Sequence, residues 1–201
     1  MTRIDDGTTL ADQRIDQDLS DRTLRACRFE RCSFEDVDMG ELVTRGCVFD
    51  DCDLTGVRLN ASVHEGSAFL GCSFARTDLF GARFADCKLT GSRFLRARLT
   101  GLEVDGGDWS FVALRHHDLA GRSLRGVRLR ESDLVGCDLR GADLRGADLT
   151  RVRLDEAKIA GADLRGAAIE GVRLAALDLR GVRLDVAQAV AVAVQLGAQV
   201  E

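Results

Sequence analysis

The cysteines are the side chains of this sequence best suited to metal or covalent chemistry, and their spacing argues against both. Zinc sites need closely spaced pairs on accessible loops, whereas neighbouring cysteines here are never closer than five residues. Each one stands two residues before a leucine or phenylalanine, at Cys27, Cys32, Cys47, Cys52, Cys72, Cys87 and Cys137. A small side chain at a regularly repeated position is typical of a core. We therefore expect core cysteines, with no metal and no cofactor.

Histidine is the second candidate for chemistry. His117, Asp118 and Ser123 have the residue types of a hydrolytic triad. A triad works in a cleft that shelters its nucleophile, however, and the regular repeat described below predicts a convex surface. The sequence therefore predicts a protein that is not an enzyme.

Two other polar residues occupy positions where apolar or small side chains are usual. His64 replaces a leucine at a central position, so we expect a hydrogen-bonded core or rim histidine. His117 and Arg122 stand where a charge is costly to bury, which predicts a local bulge or polar network between residues 102 and 122.

Outward-facing side chains are the candidates for recognition. Acidic residues outnumber basic ones nearly two to one in residues 1–65, and the two are nearly balanced in residues 66–201. No block dominated by lysine or arginine appears, which disfavours direct binding to nucleic acid. The candidate partner-binding acidic surface consists of Asp18, Asp38, Asp50, Asp51, Asp78 and Asp118. The alternative is a solvated face that keeps the protein soluble.

Two apolar residues at outward positions, Phe80 and Phe111, are candidate partner contacts. Exposed apolar side chains on a regular surface can mark an interface. Arginines become frequent towards the C-terminus, at Arg125, Arg140, Arg145, Arg165 and Arg180. We therefore expect recognition of a partner to involve the acidic N-terminal third.

A five-residue period positions all of these side chains. An apolar residue recurs at every fifth position from Leu19 to Leu184, a run of 34 units in which only Thr44 and His64 break the pattern. Glycine stands two residues after the central residue in 17 of these units. A period of five matches neither a helix nor a strand and is typical of a solenoid of stacked coils.

The spacing of like residues indicates the length of one coil. Phe29, Phe49 and Phe69 lie 20 residues apart, and the cysteines at 32, 52 and 72 do the same. Residues 20 apart would stack at the interstrand distance, which fills a narrow core with columns of similar side chains. We expect four repeats, or about 20 residues, in each coil.

The pattern divides the chain into three segments. Residues 1–17 are out of phase and are expected to form an N-terminal arm or cap, and residues 18–184 form the repeat. Residues 185–201 are expected to form a short C-terminal helix and tail. Asp185 is a suitable N-cap with Gln188 three residues later, and a glycine at 197 is placed to end the helix.

The predicted helix is apolar nearly all round, so one face can cover the open last coil while another needs burial. We expect it to mediate dimerisation through Val186, Val190, Val194 and Leu196. The alternative is a cap on a monomer.

Composition bounds the class of protein. A chain of 201 residues with 45% hydrophobic content suits one domain or one continuous repeat array. No stretch approaches the roughly 18 to 20 apolar residues of a membrane span, and the N-terminal residues lack the apolar run of a secretory signal. We expect a soluble, cytoplasmic protein without a membrane partner.

The segments A-D-L-R-G, G-C-D-L-R and S-R-F-L-R resemble the pentapeptide-repeat family. This resemblance implies an all-β solenoid, namely a right-handed quadrilateral β-helix. More specific segments are GSAFLGCSFARTDLF at 66–80, LRESDLVGCDLRGADLRGADL at 129–149 and DVAQAVAVAVQLG at 185–197. They are similar to the branch that contains the mycobacterial MfpA protein and its Qnr relatives.

The resemblance to this branch implies a dimeric rod that imitates DNA and binds DNA gyrase, a type II topoisomerase. Such a protein inhibits or modulates the enzyme, or protects it from fluoroquinolones, and so confers resistance. Because pentapeptide repeats occur in proteins with many different partners, the alternative is a binding scaffold with a partner other than a topoisomerase.

Overall fold

The computed structural model describes residues 3–200; residues 1, 2 and 201, at the ends of the expected arm and tail, lie outside the described residues. The chain winds into stacked parallel coils in which Phe29 pairs with Phe49, and Phe49 with Phe69. Each coil has four short faces, and a helix follows the last coil. The β-solenoid predicted from the five-residue period is confirmed.

We number the faces by their positions in one early coil. Face 1 is formed by residues 18–20, face 2 by residues 23–25, face 3 by residues 28–30 and face 4 by residues 33–35, and each later coil adds 20 to these numbers. Faces 1 and 4 are joined from coil to coil by isolated bridges such as Asp38 to Arg58.

Faces 2 and 3 carry parallel sheets. The five strands of face 2 are β2 (Thr23–Arg25), β4 (Val43–Arg45), β6 (Val63–Glu65), β8 (Arg83–Ala85) and β9 (Glu103–Asp105). The four strands of face 3 are β1 (Thr9–Ala11), β3 (Arg28–Glu30), β5 (Val48–Asp50) and β7 (Ala68–Leu70).

Much of the N-terminal segment belongs to the first coil. Leu10 of β1 pairs with Phe29, although Thr9 is the residue that the later spacing would place there, so this coil is out of phase with the rest. Leu10 and Ile15 are buried, and Ile4 is fully buried as well. The expected arm or cap therefore supplies apolar side chains to this end of the core.

The corner of each repeat explains the frequent glycine. From Asp21 to Gly171, the residue two positions after each central residue has a left-handed backbone, as at Gly56 (φ 71°) and Asp36 (φ 61°). Glycine adopts this conformation without steric cost, and aspartate tolerates it better than most residues.

The core includes columns of identical side chains. The rings of Phe49 and Phe69 stack with centroids 4.7 Å apart, and those of Phe74 and Phe94 at 4.6 Å. All seven cysteines are buried and unbridged, as the core interpretation predicts. Burial raises the pKa of Cys87 to about 11, so this thiol is not poised to act as a nucleophile.

The regular hydrogen bonding between coils is interrupted near the middle of the rod, on faces 1 and 2. The inward position two residues before each central residue is normally filled by a small side chain. Here this position holds Leu102, His117 and Arg122 in three repeats. In addition, Trp109 occupies a central position. The coils are separated where these larger side chains occur. The irregularity predicted between residues 102 and 122 is therefore present as a separation of coils.

The C-terminal end combines a 3-10 turn at Leu174–Ala176 with helix α1 (Val186–Gln195). The helix has the predicted N-cap at Asp185, and Gly197 follows it with a φ of 91°. Within residues 3–200 no helix has the length and apolar character needed to cross a bilayer.

Candidate functional site

The structure separates the six candidate acidic residues onto two faces. Asp18, Asp38, Asp78 and Asp118 lie on face 1 in different coils. Asp50 ends β5 on face 3, the opposite side of the coil, and Asp51 follows it at the adjoining corner. These residues therefore do not form one surface.

Basic neighbours neutralise part of the face 1 column. Arg58 lies 2.5 Å from Asp38, and Arg98 lies 3.4 Å from Asp78. Within residues 3–200, Asp18 and Asp118 form no ion pair of this kind. A hydrogen bond of 2.8 Å from the backbone N–H of Ser20 lowers the pKa of Asp18 and keeps it ionised.

Carboxylates concentrate around face 1 in the first coils, and most of them are unpaired within the described residues. We call this cluster the N-terminal acidic patch, and it consists of Asp16, Asp18, Asp21, Asp36, Asp38 and Glu41. Asp21 and Glu41 share the corner between faces 1 and 2, and Asp36 lies at the corner before face 1. In the described chain, Arg58 on Asp38 is the only basic side chain in an ion pair with a member of the patch.

Four of these six residues were missed by the sequence analysis, because they stand at corners or in the out-of-phase first coil. Writing the sequence in rows of 20 would have placed Asp18 over Asp38 and Asp21 over Glu41.

The arginines of the C-terminal half are largely neutralised. In each D-L-R sequence on a face, the arginine binds the aspartate two residues earlier, as in Asp138–Arg140, Asp143–Arg145, Asp163–Arg165 and Asp178–Arg180. Hydrogen bonds from the guanidinium groups lower the pKa of Asp143 and Asp163 to about 2. Paired charges are thus common in the C-terminal half, whereas the acidic patch has one ion pair among its six carboxylates in the described chain.

Helix α1 covers the last coil through one face. Asp185 accepts a hydrogen bond from the backbone N–H of Gln188 (3.0 Å), and the Gln188 side chain accepts one from the backbone N–H of Asp185 (2.9 Å). The Gln188 amide also donates to the carbonyls of Leu164 (2.6 Å) and Ala167 (2.8 Å). Val192, one turn later, is buried beside it.

The opposite face of α1 is apolar and uncovered. Val186, Val190 and Val194 recur every fourth residue and are 81%, 38% and 55% exposed, and Leu196 is 70% exposed. These are the four residues predicted to mediate dimerisation; the three valines share one face of α1, and Leu196 follows its last residue.

Gln188→Ala is expected to loosen the helix, because it leaves the Ala167 carbonyl without its donor and removes one of two donors to the Leu164 carbonyl, at a site that is 4% exposed. We expect a loss of about 2 kcal/mol in unfolding free energy and faster proteolysis after the last coil. Thermal unfolding and limited elastase digestion, which cleaves after the Ala and Val residues of α1, measure this. Gln199→Ala, beyond the helix and exposed, is the control; equal behaviour of the two variants would contradict the role of Gln188.

Phe80 and Phe111 are exposed, as predicted, but they do not share a surface. Phe80 lies on face 1 with the Arg98 guanidinium 4.6 Å from its ring centre. Phe111 follows face 3 at a corner with a φ of 61°, a conformation that is unusual for a bulky residue. Leu95, on face 4, is also exposed.

The triad residues do not converge. His117 Nε2 donates to the carbonyl of Phe94 (2.6 Å), and Asp118 accepts from the backbone N–H of Ala120 (3.0 Å). Burial lowers the pKa of His117. Among residues 3–200, no group of histidine, cysteine, aspartate or glutamate side chains is arranged to hold a metal ion.

Comparison with known proteins gives a family match. Four segments match the family model described as pentapeptide repeats (8 copies), and together they cover more than half of the chain: residues 65–94, 77–108, 123–159 and 147–185. The comparison with curated protein sequences found no match.

Solved structures with similar folds include QnrB1, described as a plasmid-mediated fluoroquinolone resistance protein. A trypsin-treated variant has a TM-score of 0.88 at 20% identity, covering 99% of this chain and 100% of that chain. Full-length QnrB1 gives 0.63 at 20% identity, covering 96% and 99%. HetL from the cyanobacterium Nostoc, described as involved in the regulation of heterocyst differentiation, gives 0.50 at 23% identity, covering 90% and 86%. At these identities the likeness establishes the fold.

Proposed function

Because the chain belongs to the pentapeptide-repeat family, we propose that it binds DNA gyrase in place of DNA and inhibits the enzyme or protects it from fluoroquinolones. The N-terminal acidic patch on a regular rod is the observation that carries this proposal. The QnrB1 likeness supports it, since that protein is described as a fluoroquinolone resistance protein. Gyrase as the partner implies a cytoplasmic location.

The physical basis is the complementarity of charge and width. A protein surface that holds a polyphosphate duplex will accept an acidic rod of similar width, and complementary potentials accelerate the encounter. At about 4.8 Å per coil, the repeat forms a rod of roughly 40 Å. This is enough to occupy part of a duplex-binding surface.

Total charge is too small to imitate DNA by itself. One chain carries a formal charge of −5, so two copies carry twice that amount. Duplex DNA of roughly 80 Å carries about 47 phosphates, at one per ~1.7 Å. The mimicry must therefore depend on where carboxylates are left unpaired, which favours the N-terminal acidic patch.

A dimer extends the rod. We propose that two copies meet through the exposed valine stripe of α1, with Leu196 at its edge. The stripe occupies the end of each rod, so pairing there leaves both N-terminal acidic patches free at the distant ends. One dimer then presents two acidic arms to its partner.

The experiment that tests this function is a gyrase supercoiling assay with the full chain, run with and without a fluoroquinolone. We expect concentration-dependent inhibition of supercoiling or protection from the drug. If the protein does neither and binds neither gyrase subunit, the proposal fails. The alternative of a scaffold for another partner, for which the regulatory protein HetL offers a structural parallel, would then stand.

Two matched pairs of Asp→Asn substitutions test whether the acidic patch is the surface that binds gyrase. Asp21→Asn with Asp36→Asn removes two unpaired corner charges from the acidic patch, and asparagine tolerates their left-handed backbone. At roughly 0.5–1 kcal/mol per charge, we expect a rise of about tenfold in the protein concentration that gives half-maximal inhibition or protection in the supercoiling assay.

The control for this pair is Asp51→Asn with Asp86→Asn. These residues are also exposed, unpaired corner aspartates within the described chain, with φ of 50° at both, but they lie away from the patch. An equal loss with the control pair would contradict recognition through the patch.

A further inference from the structure

The separation of coils near the middle of the rod leaves two strand edges facing each other without hydrogen bonds. In the preceding coil, Leu79 N–H bonds the Arg98 carbonyl (2.9 Å) and Gly81 N–H bonds that of Thr100 (3.0 Å). One coil later, the equivalent bonds are missing across faces 1 and 2. At this split in the described chain, the donors without a coil-to-coil partner are the backbone N–H groups of Arg96, Leu99, Gly101, Val104, Gly106, Asp118 and Ser123.

The other two faces remain closed at the same height. Trp109 N–H bonds the Arg128 carbonyl (2.7 Å) on face 3, and Leu114 N–H bonds the Asp133 carbonyl (2.9 Å) on face 4. The rod is therefore split on one side and continuous on the other. Backbone N–H groups on both edges of this split therefore lack coil-to-coil partners.

The split on face 2 forms a cleft of about 420 Å³ between β9 and the next coil. Glu103 and Val104 line one wall, and Arg122 and Ser123 line the other. Val104 stands at a central position that is buried in neighbouring coils, yet here it is only partly buried. A small apolar cavity of about 20 Å³ lies further inside the rod. It is bounded by Trp109 and shares Val104 and Arg122 with the cleft.

Two side-chain donors, Arg122 on the cleft wall and Trp109 at the inner cavity, lack acceptors within the described chain. Trp109 is 1% exposed, and its Nε1–H has no hydrogen-bond partner within residues 3–200. Arg122 is half-buried and, in the same part of the chain, forms neither an ion pair nor a side-chain hydrogen bond. By contrast, Arg83 at the rim is paired with Asp105 (3.4 Å). Buried donors without partners are costly, so the site is complementary to a ligand that brings acceptors.

We propose that this cleft binds an extended acidic segment of a partner protein, which adds a strand along the free edge of β9 and places a carboxylate on Arg122. A free strand edge is a template for pairing with another chain, and alternate side chains of the added strand then enter the adjacent pocket. The guanidinium of Arg122 suits a carboxylate because charge-assisted bonds of this kind are strong. The site is distinct from the acidic patch and from α1, and it does not depend on gyrase as the partner.

The chain contains one tryptophan and no tyrosine, so its intrinsic emission reports on the cleft alone. The full-length protein is titrated with three pools of acetylated octapeptides in which valine alternates with Asp/Glu, with Lys/Arg or with Ser/Thr. We expect only the acidic pool to shift Trp109 emission. It should also slow amide exchange at Val104 and Gly106 at least tenfold, as measured by NMR.

Two arginine variants complete the test. Arg122→Gln keeps a long polar side chain and is expected to weaken binding of the acidic pool at least tenfold. Arg128→Gln, on closed face 3 beside Asp108, is the control and should bind as the wild type does. Binding of no pool, equal binding of all three pools, or unchanged binding by a folded Arg122→Gln variant would overturn the proposal.

Discussion

Acidification from pH 7 to pH 4 is expected to remove about 3 kcal/mol of unfolding free energy through His64 alone. This side chain is fully buried at a central position on face 2, where its ring lies 4.6 Å from that of Phe84. Burial lowers the pKa of His64 from 6.5 to about 3. Between these two values His64 is therefore neutral in the folded protein and protonated in the unfolded chain.

The hydrogen bonds around His64 suit the neutral ring. Ser62 Oγ donates to the Leu59 carbonyl (2.7 Å), so it accepts from His64 Nε2–H (3.0 Å). Thr44 Oγ1 then donates to His64 Nδ1 (2.7 Å). Protonation of Nδ1 would place two donors against each other in a dry core, which opposes the charged form.

The sign of the pH effect follows from the lowered pKa. Below pH 6.5 the unfolded state binds more protons than the folded state, so stability falls as the pH falls, and the loss continues until about pH 3. The full loss is about 5 kcal/mol, at 1.36 kcal/mol per pKa unit.

His64→Leu separates this effect from the titration of surface carboxylates. Leucine is the usual residue at central positions, and Ser62 and Thr44 keep other hydrogen-bond partners. Denaturant unfolding at pH 7 and pH 4 should show a loss about 3 kcal/mol smaller in the variant than in the wild type. His116→Asn, at an exposed corner, is the control. Identical pH dependence of wild type and His64→Leu would show that His64 is not the group responsible.

Val190→Asp is expected to convert the proposed dimer into monomers. Val190 lies at the centre of the exposed valine stripe, between Val186 and Val194. In a twofold interface each aspartate would be buried opposite the same stripe of the other copy, where a desolvated carboxylate has no partner. We expect dimer affinity to fall by at least about a hundredfold, equivalent to ~2.7 kcal/mol.

Light scattering across a concentration series measures this change directly. Gln199→Asp introduces the same charge beyond the helix and should remain dimeric. Val190 is 38% exposed in the single chain, so the variant is expected to keep its fold, which thermal unfolding checks. A Val190→Asp protein that remains dimeric would contradict dimerisation through α1.

The five-residue period made most of the fold predictable because it is enforced at every repeat. The central residue and the small residue two positions before it face inward, and the corner needs a left-handed backbone, so few other arrangements satisfy the pattern. The C-terminal helix was predictable for the same kind of reason. Asp185, Gln188 and Gly197 supply a complete set of start and stop signals.

The candidate surfaces were less predictable, because charge pairing depends on neighbours in the adjacent coil that are distant along the sequence. The 20-residue spacing places Arg58 next to Asp38 and Arg98 next to Asp78, but only the side-chain geometry shows that each pair closes to an ion pair, at 2.5 and 3.4 Å. The separation of coils was foreseen as an irregularity, but its position and the unpaired strand edges depend on how the core accommodates Trp109 beside three large inward residues.

The central claim is that this protein occupies the DNA-binding surface of gyrase, and competition binding tests it most directly. A fluorescently labelled DNA duplex bound to gyrase is titrated with the full-length protein, and anisotropy reports the free duplex. We expect the protein to displace the duplex, with the Asp21→Asn, Asp36→Asn variant needing about tenfold more protein. Binding of the protein to gyrase without displacing DNA, or no binding at all, would contradict the account.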